Sequence, residues 1–295
     1  MHDTGRTKVC AACPDRRHTS RHGLCQNWRM LLHLTTVLAV LLYLGAGSLL
    51  VAPLTGCPRV LRRTAMALAA VAVLLHGAVL LGAHHGRVDL HFFAALSLVA
   101  GVIAALTILV NLWRPVAGLG VIVFPLAAIL LSVDAFLAPA TAPQPLSWQI
   151  TLHVAIALLG FSILAIAAAL AILLAMQERA LRSHHPARLA TALPPLTQTE
   201  ALLFRLIAAG FALLTLTLVT GGLFVENIRA QHLVHTSVLS VLAWLVFGAL
   251  LWGRWRHGWR GTRAVNLTLA GMALLILAFF GSKFVLEVVL QRPMA

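Results

Sequence analysis

Seven histidines stand where a membrane protein has use for a ligand: His76 inside an apolar run, His84, His85 and His91 in or beside one short connection, His153 at the start of another run, and His232 and His235 just before a third. Neutral imidazole is a common ligand of metal ions and of haem iron, and a polar group inside a helix bundle is costly unless it is hydrogen-bonded or used. His153 and His235 fall at helix starts, where an axial ligand at a membrane surface has to be. His76 lies 13 residues beyond Arg63, which at about 1.5 Å of rise per residue puts it roughly 20 Å from the basic edge of its span. It reads as a deeper ligand or relay, or equally as a hydrogen-bonding partner for a neighbouring helix. His84, His85, His91 and His232 read most simply as solvated loop residues.

Other chemistries find no support. The chain has no Ser-His-Asp set, Gly-rich phosphate loop or metalloprotease motif, so nothing argues for hydrolysis and no catalytic residue is assigned. Cys10 and Cys13 form a Cys-x-x-Cys followed by Pro14, not His, which excludes covalent haem attachment. With Cys25, His18 and His22 they lack the second Cys-x-x-Cys of a zinc site. Any haem that these imidazoles hold is expected to be non-covalent, of the b type, with no metal beyond its iron.

The elements that must position these histidines are legible from composition. Hydrophobic residues make up 60% of the 295-residue chain, charged residues 10%, and mean hydropathy is +0.93, far from the balance of a soluble domain. A spanning helix needs about 20 mostly apolar residues. Eight such runs occur, near 31–53, 65–83, 91–111, 116–138, 149–176, 201–225, 236–253 and 264–290. They are continuous in Leu, Ala and Val, without the alternation of a barrel strand. The fold class is all-α: a polytopic membrane bundle of about eight helices, with residues 30–140 supplying the first four and 141–295 the second four.

Positive charge sets the expected sidedness, because cytoplasmic loops retain Lys and Arg. Arg59, Arg62 and Arg63 follow the first run, Arg114 the third, Arg179, Arg182 and Arg188 the fifth, and Arg254, Arg256, Arg260 and Arg263 the seventh. The intervening loops hold Arg87, no basic residue at all, and Arg229. The first set is expected inside, the second outside, and both bundle termini outside. His76, His84, His85, His91, His153, His232 and His235 then converge on the outer face. Residues 1–29 carry six Lys or Arg against two Asp and oppose this scheme; they read as a basic extension upstream of Met30, the expected true start.

A formal net charge of +14 raises nucleic acid as a partner, but the basic residues are spread over short loops and form no single stripe. Contact with anionic lipid explains them, and no nucleic-acid partner is expected. Trp113, Trp148, Trp252, Trp255 and Trp259 fall at helix ends as interfacial anchors. Thr197-Gln198-Thr199-Glu200 has capping-box spacing at the start of the sixth run.

Several stretches resemble the cytochrome c assembly superfamily of membrane proteins, the one containing CcsA and CcmC, and within it the YpjD and HemX branch. They are Leu193-Pro194-Pro195-Leu196 followed by Glu200, Gly210-Phe211, Leu242-Ala243-Trp244-Leu245-Val246-Phe247, Leu251-Trp252-Gly253-Arg254, Gly258-Trp259-Arg260-Gly261 and Ala278-Phe279-Phe280-Gly281, together with Leu152-His153-Val154. The likeness covers roughly the C-terminal half; the first four spans agree only in hydropathy. It implies a bacterial inner-membrane protein that holds or passes haem at the outer face, supports c-type cytochrome maturation, and has maturation or tetrapyrrole-biosynthesis proteins as partners. His153 matches a histidine flanking the outer haem site of the superfamily. The tryptophan-rich loop that cradles haem there is absent, Trp252 stands where an intramembrane histidine is expected, and the Leu290-Gln291 region replaces another. The expected site is His153 with His235, and His76 deeper. The alternatives are a non-catalytic membrane regulator or scaffold of tetrapyrrole enzymes and, less favoured, a small-solute permease.

Overall fold

The computed structural model describes residues 20–51, 59–83, 91–113, 118–137, 147–182, 196–224 and 234–281. Among them the chain is eight helices: α1 (Ser20–Val51), α2 (Arg59–Ala83), α3 (Phe92–Trp113), α4 (Gly118–Leu137), α5 (Trp148–Arg182), α6 (Leu196–Phe224), α7 (Val234–His257) and α8 (Thr262–Ile276), the last widening into a π-helical turn over Leu277–Gly281. Each contains a stretch long and apolar enough to cross a membrane. Helix is the form these runs must take, because a bilayer offers no water to backbone groups and a helix satisfies them internally.

Packing order makes two rings. In the first, α1 lies on α2, α2 on α3, α3 on α4 and α4 back on α1; in the second, α5, α6, α7 and α8 close the same way, and α3 against α5 is the main join. The central element is α5, with 61% of its apolar window buried against at most 39% for any other span. Hydrophobicity does not drive helices together within lipid, so close fit must. Small residues supply it: Gly160 of α5 sits where an added Cβ would be 3.1 Å from the Leu213 Cβ of α6. Outward-facing Leu74, Leu81 and Leu112 are 63–73% exposed, which suits acyl chains.

The α1–α2 seam shows how sequence spacing becomes contact. Buried positions run Ala39, Tyr43, Ala46, Leu50 on α1 and Ala65, Ala69, Ala72, His76, Val79 on α2, both at the three-and-four spacing of one helix face. Alanine brings the backbones close. One polar residue then sits in each apolar stripe, Tyr43 and His76.

Two expectations change in detail. Helix α6 begins at Leu196, so Thr197 and Glu200 lie inside it, and Glu200 reaches across to α7 instead of serving as a cap. Among the tryptophans, Trp113, Trp148, Trp252 and Trp255 are 60–82% exposed at helix ends, as anchors should be, whereas Trp259 folds onto Gly253. Helix α1 reaches back to Ser20. Residues 1–19, with Cys10 and Cys13, lie outside the described residues, as do His84, His85 and His232.

Candidate functional site

His153 lies in the second turn of α5, at the end of the second ring where α5 and α7 begin and α6 finishes. Its Nδ1 is 2.9 Å from the Thr220 Oγ1 of α6. The Thr220 hydroxyl proton is already directed at backbone oxygens, Leu216 O at 2.8 Å and Thr217 O at 3.1 Å. With that proton so placed, the hydroxyl oxygen is available to accept from Nδ1–H of the imidazole. In that tautomer the Nε2 lone pair is free, with no hydrogen-bond partner among the described residues. A histidine held through one nitrogen with the other open is the arrangement a metal-ligating imidazole needs. Gly221 supports it sterically, since a Cβ there would stand 3.2 Å from His153 Cε1. From sequence, Thr220 reads as lining of a solute path or as packing at a helix interface; only the contact reveals its part.

His235 is exposed at the second residue of α7. Helices α5 and α7 stand across the ring from each other, each packed on α6 and α8. Among the described residues no hydrogen bond or ring contact joins His153 to His235, and no group of three or more His, Cys, Asp or Glu gathers to hold a metal ion. Deeper along α5, Phe161 packs on Phe279 at 5.2 Å and Phe280 at 5.5 Å between ring centres. The π-helical turn lets both adjacent phenylalanines reach that one ring.

His76 is in a different state. It is 1% exposed and both ring nitrogens are engaged, Nδ1 with Tyr43 Oη at 3.2 Å and Nε2 with Ser97 Oγ at 3.0 Å. Tyr43 and Ser97 are fully buried. Gly101 lies flat beside the ring, its hypothetical Cβ 3.4 Å from Cε1. The imidazole thus ties α1, α2 and α3 together, and in this arrangement neither nitrogen is open to a metal. The sequence singled out His76 but not Tyr43 or Ser97, which lie 33 and 21 residues away. Tyr43 is nonetheless the only tyrosine in the chain, a signal in itself.

At the opposite end of the second ring, Arg254 gathers three partners. Its Nη1 donates to Glu200 Oε1 at 2.9 Å and to Trp259 O at 3.2 Å, and its guanidinium lies 4.5 Å from the centre of the Phe204 ring. The Gly258-Trp259-Arg260-Gly261 turn is held by this network. Gly258 and Gly261 adopt φ of 65° and 59°, a region other residues enter at a cost.

A family model described as cytochrome C assembly protein matches residues 61–290. The inner membrane protein YpjD of Escherichia coli (strain K12) is 37% identical over 137 residues, 46% of this chain and 52% of the relative. An uncharacterized 28.8 kDa protein of Azospirillum brasilense is 37% identical over 171 residues, 55% and 63% of the two chains. The cytochrome c biogenesis protein CcsA of Prochlorococcus marinus (strain NATL1A) is 30% identical over 86 residues, 28% and 27%. The aligned part thus spans 52% and 63% of the first two relatives, less than two thirds of each. No solved structure matches the chain.

Proposed function

We propose, from the premise that this chain belongs to the cytochrome c assembly protein family, that it is a multi-pass membrane protein holding haem non-covalently at the outer face of a bacterial inner membrane, in support of c-type cytochrome assembly. The observation that carries the reading is the His153–Thr220 bond of 2.9 Å, which presents Nε2 as a lone-pair donor at the end of the bundle. His153 would hold the iron through that nitrogen, and His235, exposed at the first turn of α7, would supply the second ligand from across the ring. His76 has no ligand role in this reading, because both its nitrogens are occupied.

Each group of the chain then has a definite task. Thr220 orients the imidazole and holds its proton at Nδ1. Gly221 leaves room for the ring. Bound haem would supply the iron-centred chemistry that its transfer to a cytochrome requires, and the residues around it bind and orient. In sidedness, the basic loops would lie in the cytoplasm and the His153 end in the periplasm, as the distribution of Arg implies.

The test is an absorption spectrum of the detergent-purified full chain with added haem, repeated for His153→Ala, His235→Ala and His76→Leu. The first two are expected to lose or shift the Soret band and the third to keep it. Equal haem binding by the wild type and a His153→Ala, His235→Ala double variant would sink the reading and favour the scaffold of tetrapyrrole enzymes.

A further inference from the structure

We infer that the turn joining α7 to α8 carries a binding site for one anionic phospholipid, with its phosphodiester headgroup in a basic basin and an acyl chain in the apolar trough beside it. Two hollows of the surface share His257 and Trp259 as a common wall. One, of about 480 Å³, lies over the Gly258–Gly261 turn and is bounded by Arg260 and Arg263, with Glu178 at its edge. The other, of about 420 Å³, runs along α7 past Trp244, Gly248, Ala249 and Trp252. A polar pocket continuous with an apolar one has the shape of an amphiphile.

The charge balance gives the sign of the headgroup. Arg254 is committed to Glu200 at 2.9 Å, and Arg260, though 3.8 Å from the same carboxylate, has a side chain 70% exposed. Arg256, His257 and Arg263 are exposed around the same turn. The acid on the basin is Glu178, whose carboxylate lies 3.8 Å from where a Gly261 Cβ would stand. Two arginines against one carboxylate leave the basin cationic even with His257 neutral. The left-handed backbone at Gly258 and Gly261 folds the turn back, and Trp259, packed on Gly253, becomes the partition between headgroup and chain.

The trough argues for a lipid over a soluble anion. It lies on α7, which also exposes Leu245, Trp252 and Trp255 on a span that faces acyl chains. Inorganic phosphate would occupy the basin and leave the trough without an occupant. Basic residues at a helix end attract anionic headgroups, and tryptophans settle at that level. The proposal is independent of any haem site at His153, which is at the other end of α5 from Glu178.

The experiment is native mass spectrometry of the full chain in detergent, titrated with phosphatidylglycerol or with phosphatidylcholine of the same acyl chains. The expected result is preferential retention of one phosphatidylglycerol, by about thirtyfold if two arginines contribute. The Arg260→Gln, Arg263→Gln double variant should lose the preference while keeping weak retention of both lipids. Ala249→Trp, which fills the trough from an exposed position, should weaken both. Equal retention of the two lipids by the wild type would overturn the proposal, as would variants indistinguishable from it. Displacement of the lipid by millimolar inorganic phosphate would reassign the basin to a soluble anion, and one-for-one displacement by haemin would reassign both hollows to a tetrapyrrole; either result rejects the lipid site.

Discussion

His76 and His153 are both imidazoles among apolar helices, and they differ in one count: how many ring nitrogens the protein itself occupies. In the first ring both nitrogens of His76 are engaged by hydroxyls from two other helices. In the second, His153 gives one nitrogen to Thr220 and keeps the other. A neutral imidazole has one donor and one acceptor, so a histidine bonded at both ends is complete and serves as a tie. One bonded at a single end still has chemistry to offer. Depth alone suggests the opposite ranking, since the more buried histidine looks the more functional.

The comparison can be broken most decisively by exchanging losses. His153→Ala should abolish most haem binding with little effect on folding, because the side chain is half-buried and near a helix end. His76→Leu should do the reverse. It strands the Tyr43 and Ser97 hydroxyls in an apolar seam, a cost of about 2 to 4 kcal/mol, read as a fall in the thermal midpoint with an unchanged haem spectrum. A His76→Leu protein that folds normally and loses haem would invert the assignment of the two histidines.

Next in size is Thr220→Val, which keeps shape and removes the acceptor of the His153 proton. Loss of such an orienting partner typically costs 10- to 100-fold in ligand affinity, so haem titration should show a drop of about that order with His153 itself intact. Gly221→Ala should be milder. The added methyl meets His153 Cε1 at 3.2 Å, tight enough to turn the ring but not to displace α6, and a few-fold loss of haem affinity with unchanged stability is expected. Unaltered affinity in both variants would mean that the imidazole works in some other orientation.

Much of this architecture was readable in the chain, and the part that was not has a physical cause. The spans stand out because about 20 apolar residues in a row have few other fates, and every apolar run has its helix. The apolar stripe 65, 69, 72, 76, 79 was open to reading as one face of α2. What sequence does not carry is the register between helices: nothing local indicates that Ala39, Tyr43 and Ala46 meet that stripe, or that Thr220 stands opposite His153 from 67 residues away. Glu200 shows the same limit from the other side. Its spacing from Thr197 reads as a local cap, yet an Arg254 guanidinium 54 residues on, backed by Phe204, takes the carboxylate. Local pattern and long-range pairing compete for one side chain, and in a low-dielectric bundle the charged pair wins.

The smallest expected effect sharpens the idea that His76 is a tie. If Tyr43 and Ser97 act on the same imidazole, one must accept what the other's side of the ring dictates. Either Tyr43 donates to Nδ1 and Nε2–H donates to Ser97, or Nδ1–H donates to Tyr43 and Ser97 donates to Nε2. In each case removing one hydroxyl frees the ring to change tautomer, and the second bond is then worth less. Tyr43→Phe and Ser97→Ala should each destabilise by about 1 kcal/mol, within the range for hydrogen bonds between membrane helices. Their double variant should cost less than the sum, with a coupling of roughly 0.5 kcal/mol. Because the chain has a single tyrosine, the tyrosine bands in a difference ultraviolet resonance Raman spectrum, variant minus wild type, report that one ring's hydrogen bond, and Ser97→Ala should shift them although Ser97 does not touch the phenol. Strict additivity with an unmoved tyrosine signal would show two independent bonds that happen to share a ring.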